Sequence, residues 1–94
     1  MSKIYANDIP AGSPTHPGAI ISDEIEAREL KQKDLAEDLD ISPSMLSDII
    51  HGRRNITAEL ALKLESSLDI SAMFWMNFQI KFDLDKARKL VEVA

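Results

Sequence analysis

The sequence contains no cysteine, only 5% aromatic residues and three glycines. Without cysteine the chain can form no disulfide, supply no thiolate nucleophile and offer no sulfur ligand to a metal ion. The two histidines, His16 and His51, are too far apart in the chain to be a closely spaced metal-binding pair. No glycine-rich phosphate loop or nucleophile–base set can be recognised either. We therefore predict a protein that is not an enzyme and that needs neither a metal ion nor a cofactor.

Long hydrophobic runs are also missing. The longest apolar stretch surrounds Ile80 and is interrupted at once by Lys81 and Asp83, whereas a membrane-spanning helix needs roughly 18–20 apolar residues. The N-terminus has no apolar segment of signal-peptide length. These features predict a cytoplasmic protein that has no membrane partner.

Positive charge is in the minority, and the formal net charge is −5. This balance argues against binding to nucleic acid by bulk electrostatic attraction alone. An acidic protein can nevertheless carry a local basic face. The placement of individual lysines and arginines therefore matters more than their number.

The chain's 94 residues correspond to one small domain. Residues 1–14 show no sustained hydrophobic period, and we predict a flexible N-terminal arm there. Residues 15–94 show helical periodicity and no strand pattern, so we predict an all-α bundle of five to six helices. Its helices are expected to begin at Pro17, Gln32, Pro43, after Thr57, at Ala72 and at Leu84.

A short repeat, Leu-Asp-Ile-Ser, occurs at 39–42 and again at 68–71. In each copy we expect the leucine to end one helix, the aspartate to make the turn, the isoleucine to be buried and the serine to cap the next helix. The repeat is too short to indicate a duplicated domain. It predicts two similar helix–helix joints.

Two short helices joined by a tight turn, the helix-turn-helix geometry, are predicted between Gln32 and His51. Counted from Gln32, this geometry needs a small residue at the fifth position and apolar residues at the fourth, eighth, tenth, fifteenth and eighteenth. The sequence meets these requirements with Ala36, Leu35, Leu39, Ile41, Leu46 and Ile49. Asp40 occupies the turn position where glycine is usual, but aspartate tolerates a left-handed backbone better than most residues. An ordinary antiparallel helix pair is the alternative interpretation of the pattern.

Several motifs together resemble the HigA-type antitoxins, which are small helix-turn-helix proteins of the Xre superfamily. The resemblance covers residues 15–88 and is carried by the helix-turn-helix together with Thr15-His16-Pro17-Gly18, Ile56-Thr57, Ala61-Leu62-Lys63-Leu64, the run FWMNFQ at 74–79 and Asp83-Leu84. The sequence departs from the family pattern at Lys31, where a capping serine is commoner, and at Asp40, Asp69, Met76 and Phe78. The lost cap is expected to cost on the order of 1 kcal/mol at the second helix.

The resemblance implies a lambda-repressor-like DNA-binding fold and the antitoxin of a type II toxin–antitoxin system. Such a protein binds double-stranded operator DNA as a homodimer, represses its own operon and neutralises a HigB-like toxin, a RelE-type ribonuclease that cleaves mRNA.

The exposed face of the third helix is expected to contact the bases in the major groove. Five residues recur three or four positions apart and so lie on this face: Pro43, Ser44, Ser47, Asp48 and His51. Ser44 and Ser47 are the leading candidates because a hydroxyl both donates and accepts hydrogen bonds. Asp48 could accept from a cytosine amino group or could instead repel phosphate, and His51 could be an ordinary surface residue.

Phosphate contacts are expected at both ends of this helix pair. The candidates are Lys31, Gln32, Lys33, Ser42, Arg53 and Arg54. Lys31, Gln32 and Lys33 lie at the start of the second helix, where free backbone N–H groups and the helix dipole favour an anion. Arg53 and Arg54 follow the third helix directly. The alternative is that these side chains are ordinary solvated cations.

The C-terminal helices carry more apolar residues than a core of this size needs. We expect Trp75 to lie inside the core, and we predict a dimer interface formed by Phe82, Leu84 and Leu90. Two further functions stay open at this point. The protein could be a solitary Xre-family repressor without a toxin partner, or a helical interaction module that has lost DNA binding.

Overall fold

The computed structural model describes residues 15–93, which contain five α-helices and no strand. Helix α1 spans Pro17–Ala27, α2 Gln32–Asp38, α3 Pro43–Ile50, α4 Ala58–Leu68 and α5 Ala72–Val93. This arrangement confirms the predicted all-α bundle. The predicted arm, residues 1–14, lies outside the described residues.

The helices begin where capping chemistry predicts. Ser42, Thr57 and Ser71 each accept a hydrogen bond from the backbone N–H three residues ahead, at 3.0, 3.2 and 3.1 Å. Each bond satisfies a donor that the first helical turn leaves unpaired. Lys31 precedes α2 without a side-chain capping bond, as the missing serine implies.

Both copies of the Leu-Asp-Ile-Ser repeat form the predicted joint. Asp40 and Asp69 adopt left-handed backbone conformations, with φ of 58° and 60°. Ile41 and Ile70 then pack against the core as partly buried residues. Aspartate therefore occupies the turn conformation that usually favours glycine.

The prediction of separate helices at 72–82 and 84–93 is wrong, because α5 continues for 22 residues without a break. No proline or glycine interrupts it. Two side-chain pairs one turn apart also span the predicted boundary. Gln79 Nε2 donates to Asp83 Oδ1 at 3.0 Å, and Lys81 Nζ donates to Asp85 Oδ2 at 2.6 Å. Pairs at this spacing stabilise a continuous helix.

The core contains the residues predicted to pack the helix-turn-helix. Leu35, Ala36, Leu39, Leu46 and Ile49 are buried, and Ile41 is partly buried. Trp75 is completely buried, as predicted, and its indole N–H donates to the carbonyl oxygen of Ile70 at 3.2 Å. The other buried apolar residues are Ile21, Ile56, Leu60, Ala61, Leu64 and Leu68.

Close backbone contact joins α1 to α3. A Cβ atom placed on Gly18 would lie only 1.9 Å from the carbonyl oxygen of Ile49, so the helices can approach this closely only because residue 18 is glycine. At the other end of α1, Arg28 donates to the carbonyl oxygen of Leu68 at 2.7 Å. The first helix is thus attached both to α3 and to the end of α4.

Candidate nucleic-acid interface

Helix α3 presents one face to the core and the opposite face to solvent. Leu46 and Ile49 are buried, whereas Pro43 and Ser44 are exposed and Ser47 is half-buried. Asp48 is half-buried and His51 is exposed, so the described residues do not fully cover this face. The structure therefore brings the predicted base-facing side chains onto one accessible face of α3. We call this face the ridge; it consists of Pro43, Ser44, Ser47, Asp48 and His51.

The C-terminal end of that ridge is held by local hydrogen bonds. Asp48 Oδ1 accepts from Arg53 Nε at 3.1 Å; the Arg53 side chain is 61% exposed and the Asp48 side chain 36%. His51 Nδ1 lies 2.7 Å from the carbonyl oxygen of Ser47 and 3.4 Å from its hydroxyl oxygen. Asp48 therefore fixes the position of an arginine next to the ridge in addition to being one of its members.

Residues 52–55, which we call the basic loop, follow α3 and carry Arg53 and Arg54. Gly52 begins the loop with φ of 77°, a conformation that side chains disfavour. After the loop, Ile56 is buried, and its backbone N–H donates to Gln79 Oε1 at 2.8 Å. The N–H groups of Gly52 and Arg53 donate to the carbonyl oxygens of Ile49 and Asp48, which attaches the start of the loop to α3. Both ends of the loop are thus held, while Arg53 and Arg54 are exposed.

The imidazole of His16 lies beneath the basic loop. His16 is 9% exposed, and its Nδ1 accepts from the backbone N–H of Gly18 at 2.9 Å. Phe82 packs edge-to-face against it, with ring centroids 4.8 Å apart. A Cβ atom on Gly52 would lie 3.7 Å from the imidazole Cγ, which places the start of the loop next to the ring.

Burial lowers the pKa of His16 below its ordinary value, because the charged imidazolium loses hydration. Lys86 acts in the same direction, whereas Asn55, Asp83 and the Arg54 backbone act against it. The ring is therefore neutral near pH 7. This protonation state leaves Nδ1 free to accept the Gly18 hydrogen bond.

At the other side of α3, the cations of α2 lie on its exposed first turn. Lys31, Gln32 and Lys33 are all exposed, and so is Ser42 in the turn between the helices. The oxygen of Ser42 already accepts from the backbone N–H of Met45. Positively charged side chains therefore precede and follow the ridge, although the whole chain carries a net charge of −5.

The residues predicted for the dimer interface do not share one environment. Phe82 is half-buried against His16 within the same chain. Leu84 and Leu90 are 47% and 67% exposed. Exposed apolar side chains also occur at Met73, Ile80 and Val91 of the same helix.

Sequence reasoning did not identify Gly18 and Gln79 as residues that position the interface. Both occur in motifs that carry the family resemblance, but their partners, Ile49 and Ile56, are distant in the chain. The polar glutamine within the aromatic run at 74–79 was the available signal. A buried amide needs a partner, and here the partner is the N–H group that follows the basic loop.

Neither a metal-binding cluster nor a membrane-spanning helix is found among residues 15–93. No group of three or more histidine, cysteine, aspartate or glutamate side chains could hold a metal ion there. None of the helices in that range combines the length and the apolarity that crossing a membrane requires.

Comparison with known proteins agrees with this geometry. A helix-turn-helix family, HTH_3, matches residues 21–75. Virulence-associated protein A' of Dichelobacter nodosus is 35% identical over 75 residues, which cover 79% of this chain and 65% of that protein. An uncharacterized HTH-type transcriptional regulator of Haemophilus influenzae is 39% identical over 72 residues, which cover 76% of this chain and 67% of the relative. The chain thus spans about two thirds of the length of these curated relatives.

Solved structures of similar proteins include complexes with DNA. Pseudomonas aeruginosa PA4674, crystallised with its operator DNA, superposes with a TM-score of 0.75 at 37% identity, covering 80% of this chain and 84% of that one. The Pseudomonas aeruginosa antitoxin HigA with the higBA promoter has a TM-score of 0.78 at 35% identity, covering 83% and 86%. A HigA-family addiction module antidote protein from Coxiella burnetii has a TM-score of 0.76 at 34% identity, covering 81% and 84%.

Proposed function

Because this chain belongs to the helix-turn-helix family HTH_3, we propose that it is an antitoxin that binds its own operator through α3 and represses its own operon. The observation that carries the proposal is the exposed ridge of α3, which has cationic side chains before and after it. A helix presented in this way fits the major groove, while cations on either side reach the phosphates. The chain is a DNA-binding protein of the Xre type and not an enzyme.

Base recognition is assigned to the ridge. Ser44 and Ser47 make the principal contacts, because their hydroxyl groups both donate and accept. Pro43 contacts the groove at the N-terminal end of α3, and Asp48 and His51 contact it at the other end. No arginine or lysine lies within α3 itself. Direct base contacts are therefore modest, and DNA shape contributes to specificity.

Phosphate contacts position the protein on the duplex. Arg53 and Arg54 contact one strand from the basic loop, whose two ends are fixed by Gly52 and Ile56. Lys31, Gln32, Lys33 and Ser42 contact the opposite backbone from α2 and the turn. Because the whole chain has a net charge of −5, long-range attraction to DNA is weak, and these local cations supply the contacts to phosphate.

Two copies bind together, since a single domain offers few base contacts. Ile80, Leu84 and Val91 follow one another at helical spacing on α5 and are 50%, 47% and 73% exposed. Such a stripe suits pairing with the same helix of a second copy. Leu90 flanks the pairing surface, whereas Phe82 lies on the opposite side of α5, where it packs on His16. The two half-sites of the operator are then about 34 Å apart.

The toxin partner is inferred from the relatives. Solved structures at 34% and 35% identity are described as a HigA-family antidote protein and the antitoxin HigA. We assign the same role to this chain, in the cytoplasm, against a HigB-like, RelE-type ribonuclease that cleaves mRNA. RNA-binding ribonucleases are commonly basic, and a chain of net charge −5 provides the opposite charge.

The test is a mobility-shift assay on the promoter of the protein's own gene, with and without the product of the neighbouring gene. We expect a specific shift that responds to the neighbour, and growth rescue when the two proteins are co-expressed. A specific shift without any binding or rescue would identify a solitary repressor instead. Failure to shift the promoter at low salt would contradict the DNA-binding assignment.

A further inference from the structure

We propose that His16 is a positioning residue for DNA binding, which sets the basic loop against the duplex by connecting the loop to Phe82 and to the start of α1. The proposal rests on the proposed function, because it assigns the loop's arginines to phosphate. It adds a residue that lies on neither α2 nor α3 and that does not itself contact DNA.

The imidazole is clamped on three sides by separate elements. Its Nδ1 caps α1 through the 2.9 Å hydrogen bond from Gly18 N–H. The Phe82 ring of α5 meets it edge-to-face at 4.8 Å between centroids. Gly52 lies next to the ring, since a Cβ added to it would be in ordinary van der Waals contact with Cγ, 3.7 Å away.

The ring also interacts with residues of the basic loop. Nε2 is buried, and hydrogen bonding with the Asn55 side chain and the Arg54 backbone acts on the imidazole. A capping residue without a ring, such as serine, would cap α1 but is too short to reach these loop residues. The ring therefore supports the basic loop as well as capping α1.

That support acts directly on the proposed phosphate contacts. Gly52 immediately precedes Arg53 and Arg54, and its φ of 77° sets the direction in which the loop leaves α3. The loop's other end is fixed independently by the Gln79 hydrogen bond to Ile56. A change at His16 therefore shifts the arginines without releasing the end of the loop that leads into α4.

Because Phe82 lies on α5, the same contact connects the helix proposed for dimerisation to the DNA-binding loop. The carboxylate of Asp83 and the ammonium of Lys86 also act on the imidazole from α5. Lys86 Nζ lies 5.5 Å from the centre of the Phe82 ring. Together with the hydrogen bond from Ile56 N–H to Gln79, this aromatic pair connects α5 to the loop.

The test uses the substitution His16→Asn, which keeps a good N-cap for α1 and removes the ring. Operator affinity is measured by fluorescence anisotropy in the wild type, in H16N, in R53A/R54A and in the combined variant. The four proteins are compared under conditions in which circular dichroism shows that all of them are folded. We expect H16N to weaken operator binding roughly fivefold to tenfold and to change affinity less than twofold once the two arginines are absent.

Phe82 provides a second and independent measurement. Phe82→Leu should weaken operator binding as H16N does. Phe82→Tyr, which keeps the aromatic ring, should bind the operator with wild-type affinity. Phe74→Leu is the matched control, because Phe74 also lies on α5 but packs on Trp75 and Phe78.

The possible failures can be told apart. Wild-type affinity in H16N, or an undiminished H16N effect in the R53A/R54A background, would overturn the positioning role alone. Wild-type affinity in R53A/R54A itself would overturn the phosphate assignment and the positioning role together.

Discussion

Asp48 Oδ1 accepts a hydrogen bond from Arg53 Nε at 3.1 Å, so a carboxylate on the proposed DNA-reading helix holds an arginine of the basic loop. The pair is exposed, and it contributes little to folding stability. Its importance lies in the interface. The Nε group is occupied by Asp48, and the two Nη groups of Arg53 remain available to a phosphate.

Asp48→Asn removes this carboxylate and its repulsion of phosphate. We expect affinity for unrelated DNA to rise roughly threefold to tenfold, because like charges at an interface suppress wrong partners. Affinity for the operator should rise less, so that the specificity ratio falls. Asp23→Asn, on the exposed face of α1, is the charge-matched control. Unchanged binding to unrelated duplexes in D48N would exclude the repulsive role.

The two serines of the ridge test base recognition separately from phosphate contact. Ser44→Ala/Ser47→Ala should weaken operator binding roughly tenfold, since a good bidentate base contact is worth about 1–3 kcal/mol of discrimination and each serine hydroxyl supplies a smaller part of that. Binding to unrelated DNA and the salt dependence should not change. Ser22→Ala/Ser66→Ala removes two exposed hydroxyl groups elsewhere and controls for helix propensity. Equal losses on operator and unrelated duplexes would mean that the serines do not read sequence.

Gly18→Ala tests the contact between α1 and α3. The added Cβ would lie 1.9 Å from a backbone carbonyl oxygen, and neither helix can yield without moving core residues. We expect a loss of about 3 kcal/mol in the free energy of unfolding, measured by urea denaturation. Ala19→Gly, on the exposed side of the same turn, should cost only about 1 kcal/mol. A G18A protein as stable as the wild type would show that the helices are not in this contact.

Stability should fall as His16 becomes protonated. The pKa of His16 in the folded protein lies below its ordinary value because of burial. Its stabilising contribution is therefore complete above about pH 6.5, the unfolded value, and declines as the pH falls through the folded pKa. Asp83 and Lys86 also act on the ring, in opposite directions. Chemical denaturation between pH 8 and 5 should show a steeper acid loss in the wild type than in H16N; parallel curves would contradict the assignment.

The helix-turn-helix could be predicted from sequence because its determinants are local. The spacing of Leu35, Leu39 and Leu46 defines the buried faces of two short helices. The serine at position 42 marks the start of α3 by a hydrogen bond to a residue only three positions ahead. The same reasoning located Asp40 in a left-handed turn, where its φ is 58°.

Contacts between distant residues could not be predicted in the same way. Gln79 binds the backbone of Ile56, and His16 packs on Phe82, which are pairings that no short-range pattern encodes. The break predicted before Leu84 was wrong because the periodicity of two adjacent apolar segments does not show whether the helix between them continues. The Gln79–Asp83 and Lys81–Asp85 pairs settle that question in favour of one helix.

The most direct measurement of the central claim is the salt dependence of operator binding in the wild type and in R53A/R54A. If the basic loop contacts phosphates in each copy of a dimer, four contacts are lost, and the slope of log K against log salt should become shallower by about 3 to 4. Arg88→Ala/Lys89→Ala, at exposed positions near the end of α5, changes the net charge equally and should keep the wild-type slope. A wild-type slope and affinity in R53A/R54A would contradict the account of how this protein holds DNA.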